Sequence, residues 1–362
     1  MTTRRLFDVA VLGAGPAGLT AALQCAETRR VVVCTPRVLD LPTPLRVDCI
    51  PAQTLVLLGE LGIEPTVIGA SLPTGRVRQA WTSSGSEDVL AARTFHIERH
   101  RLDRALLARA LSNANIEFTS FVHRPEFRAH VFVGDGWRAP LIIDASGSAA
   151  VMAPKRFHPV HPWAARTWLI GAKQDDIKGF QIAALPEGYV YRLGTGSHTT
   201  VGVVGASRFV RAKPEDILAR LQEVGCGWIL EALEPFTKRQ PSWGGRGSLQ
   251  WSSLSMLPVL PVGDAAIARD PLSSQGLATA LSDALSAAAV VDDAALELFR
   301  SRHCTNLANH ISSLASHLRS CRWRDAPVWA QYLRFLMGHA QTSTGTVTFL
   351  SHGRLTSAVR AS

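Results

Sequence analysis

Short β-branched runs, glycine turns and helical apolar spacing alternate through the first third of the chain. Phe7–Leu12 is an apolar run followed at once by Gly13-Ala14-Gly15-Pro16-Ala17-Gly18 and by Leu19–Ala26 at helical composition, which predicts strand, glycine turn and helix. Arg30–Cys34 (RVVVC) reads as a second buried parallel strand, so residues 6–35 make one βαβ unit. Pro36–Pro51 is proline-rich and reads as loop, and Ala52–Leu61 as a helix stopped by Gly62. Residues 73–97 suggest short strands around a Ser-Ser-Gly-Ser turn. His100–Asn113 carries Leu102, Ala105, Leu106, Ala108, Ala110 and Leu111 as the apolar positions of an amphipathic helix, and Phe127–Val133 and Leu141–Ile143 read as strands.

The pattern changes over residues 155–255. Segments such as Arg166–Ala172 and Thr199–Val204 are strand-like and rich in tryptophan nearby, with one helix near Pro214–Glu223, predicting an antiparallel sheet that binds substrate. Val259–Val262 returns to a buried parallel strand, Gln275–Val290 reads as a small-residue helix, and the chain beyond Asp293 reads as helical to about Gly338. The expected fold class is α/β, with a Rossmann-type dinucleotide-binding domain, an inserted antiparallel-sheet substrate domain and a helical C-terminal region. The expected boundaries are 1–72, 96–154 and 256–294 for the discontinuous nucleotide domain, 73–95 and 155–255 for the sheet domain, and 295–362 for the helical region.

Composition narrows the class. Of 362 residues, 46% are hydrophobic and 19% charged, enough apolar side chain to exclude disorder. The Val9–Leu12 run is too short for a signal peptide or a membrane span, so a soluble cytoplasmic protein is expected. Six cysteines lie far apart without a C-x-x-C pair, which supports neither a metal site nor a redox motif. The net charge of +9 includes clusters at Arg99–Arg109 and Arg300–Arg324. No nucleic-acid-binding motif accompanies it, which leaves acidic ligands or an acidic partner surface.

Chemistry begins at the glycine turn. Gly13 permits a tight turn, Gly15 lets a pyrophosphate approach the backbone, and Gly18 allows close helix packing. Ala17 lies in the first turn of a helix whose N-terminal N–H groups suit an anion. The acidic residue expected about 20 residues on, to hold a ribose hydroxyl, falls where Cys34 and Thr35 stand; Asp40 is the nearest carboxylate and Thr35 the candidate substitute.

Further on, Gly263-Asp264-Ala265-Ala266 precedes Asp270-Pro271-Leu272-Ser273-Ser274-Gln275-Gly276 and a helix. Here the sequence resembles the glutathione-reductase-type FAD-binding fold, in its flavin monooxygenase and halogenase branch. The resemblance implies that Asp264 binds the ribityl chain and that Pro271, Ser273, Ser274, Gln275 and Gly276 lie against the isoalloxazine. Backbone N–H groups at a helix start stabilise the negative charge of a reduced flavin. Arg99-His100-Arg101-Leu102-Asp103 resembles the R-x-x-x-D helix entry whose arginine contacts the cofactor. Asp144-Ala145-Ser146-Gly147 is similar to a strand-end turn of that domain, and Arg46-Val47-Asp48-Cys49-Ile50-Pro51 to the loop near the flavin, with Asp-Cys where an acidic-Ser pair is usual.

A narrower resemblance rests on GDAAIARDPLSSQG and Cys321-Arg322-Trp323-Arg324-Asp325-Ala326-Pro327-Val328-Trp329. Both are similar to flavoproteins that hydroxylate tryptophan side chains of a partner protein in tryptophylquinone maturation, although Val328 stands where an aromatic is usual. Read from its residues alone, Trp323–Trp329 is equally a C-terminal helix packing tryptophans into the core. The resemblance implies an FAD-dependent monooxygenase acting on an electron-rich aromatic ring, with NAD(P)H or a reductase as electron source. The aromatic substrate it implies is either a small molecule or a ring borne by a protein or peptide with an acidic docking surface. Neither nucleic acid nor membrane is an expected partner. Asp270, Ser274 and Gln275 are the candidate catalytic residues, Asp270 as substrate-positioning group or base, or simply as a helix N-cap.

Halogenation of an indole or phenol is the nearest rival. The W-x-W-x-I-P segment of that branch is absent, Tyr189–Gly194 occupying a comparable place, and no lysine occurs in the first 150 residues. A small-molecule dehydrogenase or reductase on the same fold, and a non-catalytic flavin-binding partner protein, also fit the cofactor motifs. His303, His310 and His317 recur every seven residues, a spacing that suits a polar or partner-facing stripe better than a metal site.

Overall fold

A computed structural model describes residues 4–36, 45–72, 76–83, 87–90, 94–120, 123–171, 180–195, 198–230, 241–340, 350–351 and 354–355. Five all-parallel strands form the central sheet, in the order Val259–Pro261, Leu141–Asp144, Val9–Leu12, Val31–Thr35 and Ile116–Ser120. Val9–Leu12 and Val31–Thr35 are buried along their whole length, as a parallel sheet covered on both faces requires. Helices α1 (Pro16–Cys25), α2 (Ala52–Glu60) and α3 (Arg99–Leu111) belong to this half, and Leu19, Leu58, Leu102 and Leu106 share its core. Helices α4 (Ser207–Val210) and α5 (Pro214–Glu223) accompany a second sheet. Helix α6 (Gly276–Ala288) returns to pack against α1, and α7 (Asp293–Arg319) and α8 (Pro327–Ala340) pack against each other.

The second sheet has seven described strands, in the order Trp243–Arg246, Ala164–Gly171, His198–Gly205, Gly188–Gly194, Gln181–Leu185, Arg76–Ala80 and Glu87–Leu90. Its pairings are antiparallel except between Gln181–Leu185 and Arg76–Ala80. One face buries Trp168, Ile170, Val190 and Val201 with Ile217 and Leu221 of α5. The opposite face packs Trp81, Trp163 and Tyr189 against Trp329, Tyr332 and Leu336 of α8. Trp323 and Trp329 donate their indole N–H groups to the carbonyls of Ala184 and Leu185, at 3.0 and 2.8 Å. The Trp323–Trp329 segment therefore packs its tryptophans into the core and seals it.

One expectation needs correction, and one strand goes unannounced by the residue pattern. Val47–Pro51 is a strand, not loop: it pairs antiparallel with Thr94–Glu98, buries Val47 and Ile50, and is tied to the second sheet by Val47 N–H donating to Thr200 Oγ1 at 2.8 Å. Its proline surroundings hide the strand, and its two buried residues, three apart, show no alternation to announce it. Ile116–Ser120 is a strand that the residue pattern does not announce; it is a sheet edge supported by a single neighbour. Of the Pro36–Pro51 stretch, residues 37–44 lie outside the described residues. No described helix is long and apolar enough to cross a membrane. The six cysteines are free, Cys25, Cys34, Cys226 and Cys321 buried and Cys49 and Cys304 half-buried.

The tightest junction lies where the first strand enters α1. Gly13 has φ +112°, and a Cβ there would overlap the Ala145 carbonyl; a Cβ on Gly18 would run into the Gly13 carbonyl. Around Gly15 there is open space. Gly18→Ala should therefore cost about 1–3 kcal/mol in urea unfolding, whereas Gly15→Ala should stay within about 1 kcal/mol of wild type. Equal losses in the two variants would contradict this account of the junction.

Candidate functional site

The mouth of the parallel sheet is built by three turns. Gly13 N–H donates to Cys34 O and Ala145 N–H to Leu12 O, at 2.8 and 2.9 Å, tying the glycine turn to its neighbours on both sides. Asp144, buried at the end of its strand, fixes the second turn: Oδ1 accepts from Ser146 Oγ at 2.5 Å and Ser146 N–H at 3.1 Å, and Oδ2 from Met152 N–H at 2.8 Å. The third turn, Gly263–Ala265, follows when Val262 N–H bonds Asp144 O at 2.9 Å. A Cβ on Gly263 would lie 3.2 Å from Ala17 Cβ, so this turn sits against the first turn of α1. Ala17 is buried as a packing surface, while Gly15 is exposed. Helix α1 has no side-chain cap and no acidic residue in its first turn, leaving amide N–H groups without intrahelical partners at its positive end.

Asp264 stands exposed at this mouth, though much protein surrounds it. That burial raises its pKa above the ordinary carboxylate value, against the opposing pull of Arg99, Arg46 and Arg156. Arg99, expected to contact the cofactor, and Arg46, in the loop expected near the flavin, are engaged with carboxylates. Arg99 bonds Asp103 at 2.8 Å and Asp48 at 3.1 Å, and Arg46 reaches Asp48 at 3.0 Å. Burial disfavours the Asp48 anion, but Arg46 and Arg99 outweigh it and hold its pKa low. Burial likewise opposes the Arg99 charge, and Asp103 and Asp48 more than restore it.

Arg156 escaped the sequence reading. Its guanidinium donates to the carbonyls of Asp264 and Ala265 at 2.8 and 3.2 Å and to Ser252 Oγ at 3.0 Å, clamping the turn that presents Asp264. No motif surrounds it in the sequence; only the pairing of its strand with Gln250–Ser252 brings it here.

The segment after this turn is held from below. Asp270 is 1% exposed. Its Oδ1 accepts from Leu272 N–H at 2.8 Å and Tyr189 OH at 2.9 Å, and its Oδ2 from Tyr332 OH at 3.1 Å. It is thus the N-cap of the Pro271–Ser273 turn, anchored to the aromatic core. Burial raises its pKa to about 6 despite these three donors. Burial, then the Asp270 charge, push both tyrosine pKa values well above 10, so the phenols remain donors. Ser273 Oγ donates back to Asp270 O at 3.0 Å. Ser274 takes a left-handed conformation, φ +49°, that turns the chain into α6. Gln275 is exposed at the N-cap of α6, whose first turn begins at Gly276. Pro271, Ser273, Ser274 and Gly276 are half-buried.

The remaining candidates separate. Thr35 ends its strand buried, and Asp40 lies outside the described residues. The histidine repeat is not the polar or partner-facing stripe expected: His303 and His310 are buried, and only His317 is exposed, because α7 turns that face inward. No group of three His, Cys, Asp or Glu able to hold a metal occurs among the described residues.

No family model matches the chain. Digeranylgeranylglycerophospholipid reductase 1 of Methanopyrus kandleri is 28% identical over 303 residues, covering 76% of this chain and 77% of that protein. Among solved structures, the myxobacterial chondrochloren halogenase CndH superposes with a TM-score of 0.70 at 18% identity, covering 93% of this chain and 91% of CndH. The peptidyl tryptophan dihydroxylase QhpG superposes with a TM-score of 0.69 at 18% identity, covering 98% and 86%. PqsL, a probable FAD-dependent monooxygenase of Pseudomonas aeruginosa, gives 0.70 at 15% identity over 91% and 100%. The chain has the fold shared by these FAD-dependent halogenases and monooxygenases.

Proposed function

We propose that the chain is an FAD-dependent monooxygenase that hydroxylates an electron-rich aromatic ring, its substrate being a tryptophan side chain of a partner protein or peptide. The observation that carries the reading is Asp264, an exposed carboxylate among Arg46, Arg99 and Arg156, set against the uncapped start of α1. FAD fits the residues present. The N–H groups of Gly15, Ala17 and Gly18 suit its pyrophosphate, the Asp264 carboxylate its ribityl hydroxyls, and the Gln275–Gly276 start of α6 the pyrimidine edge. Thr35 is the strand-end side chain nearest in sequence order to the usual ribose-binding position. When bound and reduced by NAD(P)H or a reductase, FAD supplies the electrons that activate dioxygen, one oxygen atom entering the ring and the other leaving as water.

The chain's own residues bind, orient and exclude water. Arg156 fixes the Asp264 turn, and the Asp48 anion holds Arg46 and Arg99 beside it. Asp270 is a positioning residue: through Tyr189 and Tyr332 it locks Pro271–Gln275 to the core. Gln275, exposed at the end of that segment, is the member of the candidate set available to meet a substrate. The similarity to QhpG supports the tryptophan substrate. Exposed Arg302, Arg319 and Arg324 on and after α7 suit an acidic docking surface.

Asp264→Ala should weaken FAD retention by about 10- to 100-fold while circular dichroism stays unchanged; a fully loaded yellow variant would remove Asp264 from the site. Asp270 gives a pH test. Its native pKa of about 6 exceeds the unfolded value, so Asp270 contributes about 3 kcal/mol of stability that is present at about pH 4 and lost as pH rises through about 6 toward about 7.5. Asp270→Asn should flatten that dependence in denaturant melts relative to wild type, and parallel curves would refute it. For the reaction, a tryptophan-bearing acidic acceptor incubated with reduced enzyme under 18O2 should gain labelled oxygen on tryptophan, with docking weakened by salt. Unlabelled product, or halogenated product in the presence of halide, would overturn monooxygenation.

A further inference from the structure

All three tyrosines of the chain lie in one cluster. Tyr189 and Tyr332 donate their phenols to the two oxygens of Asp270, at 2.9 and 3.1 Å, within the reach over which a carboxylate takes a proton, about 2.6–3.2 Å. Leu249 N–H donates to the Tyr332 oxygen at 2.7 Å, which leaves the phenol's own proton to Asp270. Tyr191 packs beside Tyr189, ring centroids 6.4 Å apart, and the charges of Asp48 and Arg46 act on its phenol. The cluster thus runs from the charged mouth to a buried carboxylate. Capping the Pro271–Ser273 turn needs one acceptor, which Leu272 N–H uses, and a serine cap would serve without burying a charge. Two phenols on one buried carboxylate therefore ask for a chemical reason.

Indoles lead from the pair to the surface. Trp163 packs on Tyr189 and Tyr332, with centroids 6.3 and 4.9 Å away, and on Trp329 at 4.8 Å. Trp329 meets Trp81 at 5.5 Å, and Trp81 ends the path against the exposed His317 at 4.8 Å. Every step lies within the contact range of aromatic pairs, about 4.5–7 Å. Tyrosine and tryptophan are the aromatic side chains that lose one electron most readily, and a phenol does so more easily when its proton leaves at the same time. Burial brings the Asp270 pKa to about 6, so near neutral pH the carboxylate is an anion able to take that proton.

The geometry points to a proton-coupled redox relay: Tyr189 and Tyr332 give electrons to oxygen radicals in the cleft while Asp270 takes the phenol proton, and Trp163, Trp329 and Trp81 conduct the replacement electron from solution. A hydroxyl radical takes one electron from a phenol of the pair and becomes hydroxide. The phenol proton passes to Asp270, and a neutral tyrosyl radical remains. A thiolate at the surface then supplies one electron through the indoles and becomes a thiyl radical, and Asp270 returns the proton to the phenol. The oxidant presupposes dioxygen reduction in the cleft, so this protective use rests on the proposed monooxygenase reading. The relay itself belongs to the side chains and is tested without FAD, so its failure and that of the reading are told apart.

Flash-generated tris(bipyridine)ruthenium(III) in solution oxidises the FAD-free full chain from its surface, and electron paramagnetic resonance with transient absorption separates tyrosyl from tryptophan radicals. Because the chain has three tyrosines, a tyrosyl signal comes only from this cluster. Wild type should form it at a rate that falls as pH drops through about 6 and Asp270 protonates. Asp270→Asn should slow its formation about 100-fold and remove the pH dependence. The double variant Tyr189→Phe with Tyr332→Phe, which retains Tyr191, should lose the pH-dependent signal. Trp163→Phe, which keeps an aromatic ring in place, should slow the signal while circular dichroism and the Asp270-dependent pH profile stay as in wild type. Tryptophan radicals without a tyrosyl radical in wild type would overturn the relay. So would a tyrosyl signal indifferent to both pH and Asp270→Asn, or wild-type rates in both Trp163→Phe and Trp329→Phe.

Discussion

The approach of α1 to the strand end at Gly13 and Gly18 sets the geometry on which the rest of the mouth depends. Because neither glycine leaves room for a Cβ, the helix start is pressed onto the Ala145 turn and the neighbouring strand. The Gly263 turn then packs onto Ala17 by the same small-residue logic. Three turns from distant parts of the chain are thereby brought to one point, and a single carboxylate, Asp264, is left exposed among cations. A larger residue at either glycine would move the helix and with it the register of all three turns.

The charged groups follow from this packing. Bringing Arg46, Arg99 and Arg156 around Asp264 places several cations in a partly desolvated cleft, where their mutual repulsion is costly. Asp48 and Asp103 offset that cost, and the strand that carries Asp48 is fixed at both edges, by Thr94–Glu98 and by Thr200. Two of the arginines that give the chain its positive charge are thus held by carboxylates. They orient the cleft more than they supply free charge to a ligand. Further positive charge lies on exposed side chains such as Arg302, Arg319 and Arg324.

What was legible in the sequence was the part encoded locally. Gly13-Ala14-Gly15-Pro16-Ala17-Gly18 specifies a strand-to-helix turn by itself, and Gly263-Asp264 with Asp270–Gly276 does the same for the second half, because turn conformation is set by the residues within the turn. Arg156 and the Val47–Pro51 strand were not legible, since their positions come from pairing with Gln250–Ser252 and Thr94–Glu98. Asp270 was legible as an N-cap, but its two tyrosine partners come from 81 residues upstream and 62 downstream. The seven-residue histidine spacing identified one helix face correctly and its environment wrongly, because periodicity reports which residues share a face and not what covers it.

Asp270 also explains why the segment it caps has two distinct sides. Below, Tyr189 and Tyr332 fill the space between the second sheet and α8 with aromatic rings, and Trp163 packs on both tyrosines. On the α2, α6 and α7 side, the same segment borders a roomy cavity through Leu272, Ser273 and Gln275. A buried carboxylate with three donors resists displacement, since freeing any one donor leaves a polar group unpaired in the core. The segment is therefore stiff where it meets the aromatic core, and a molecule that contacts Gln275 meets a backbone already fixed.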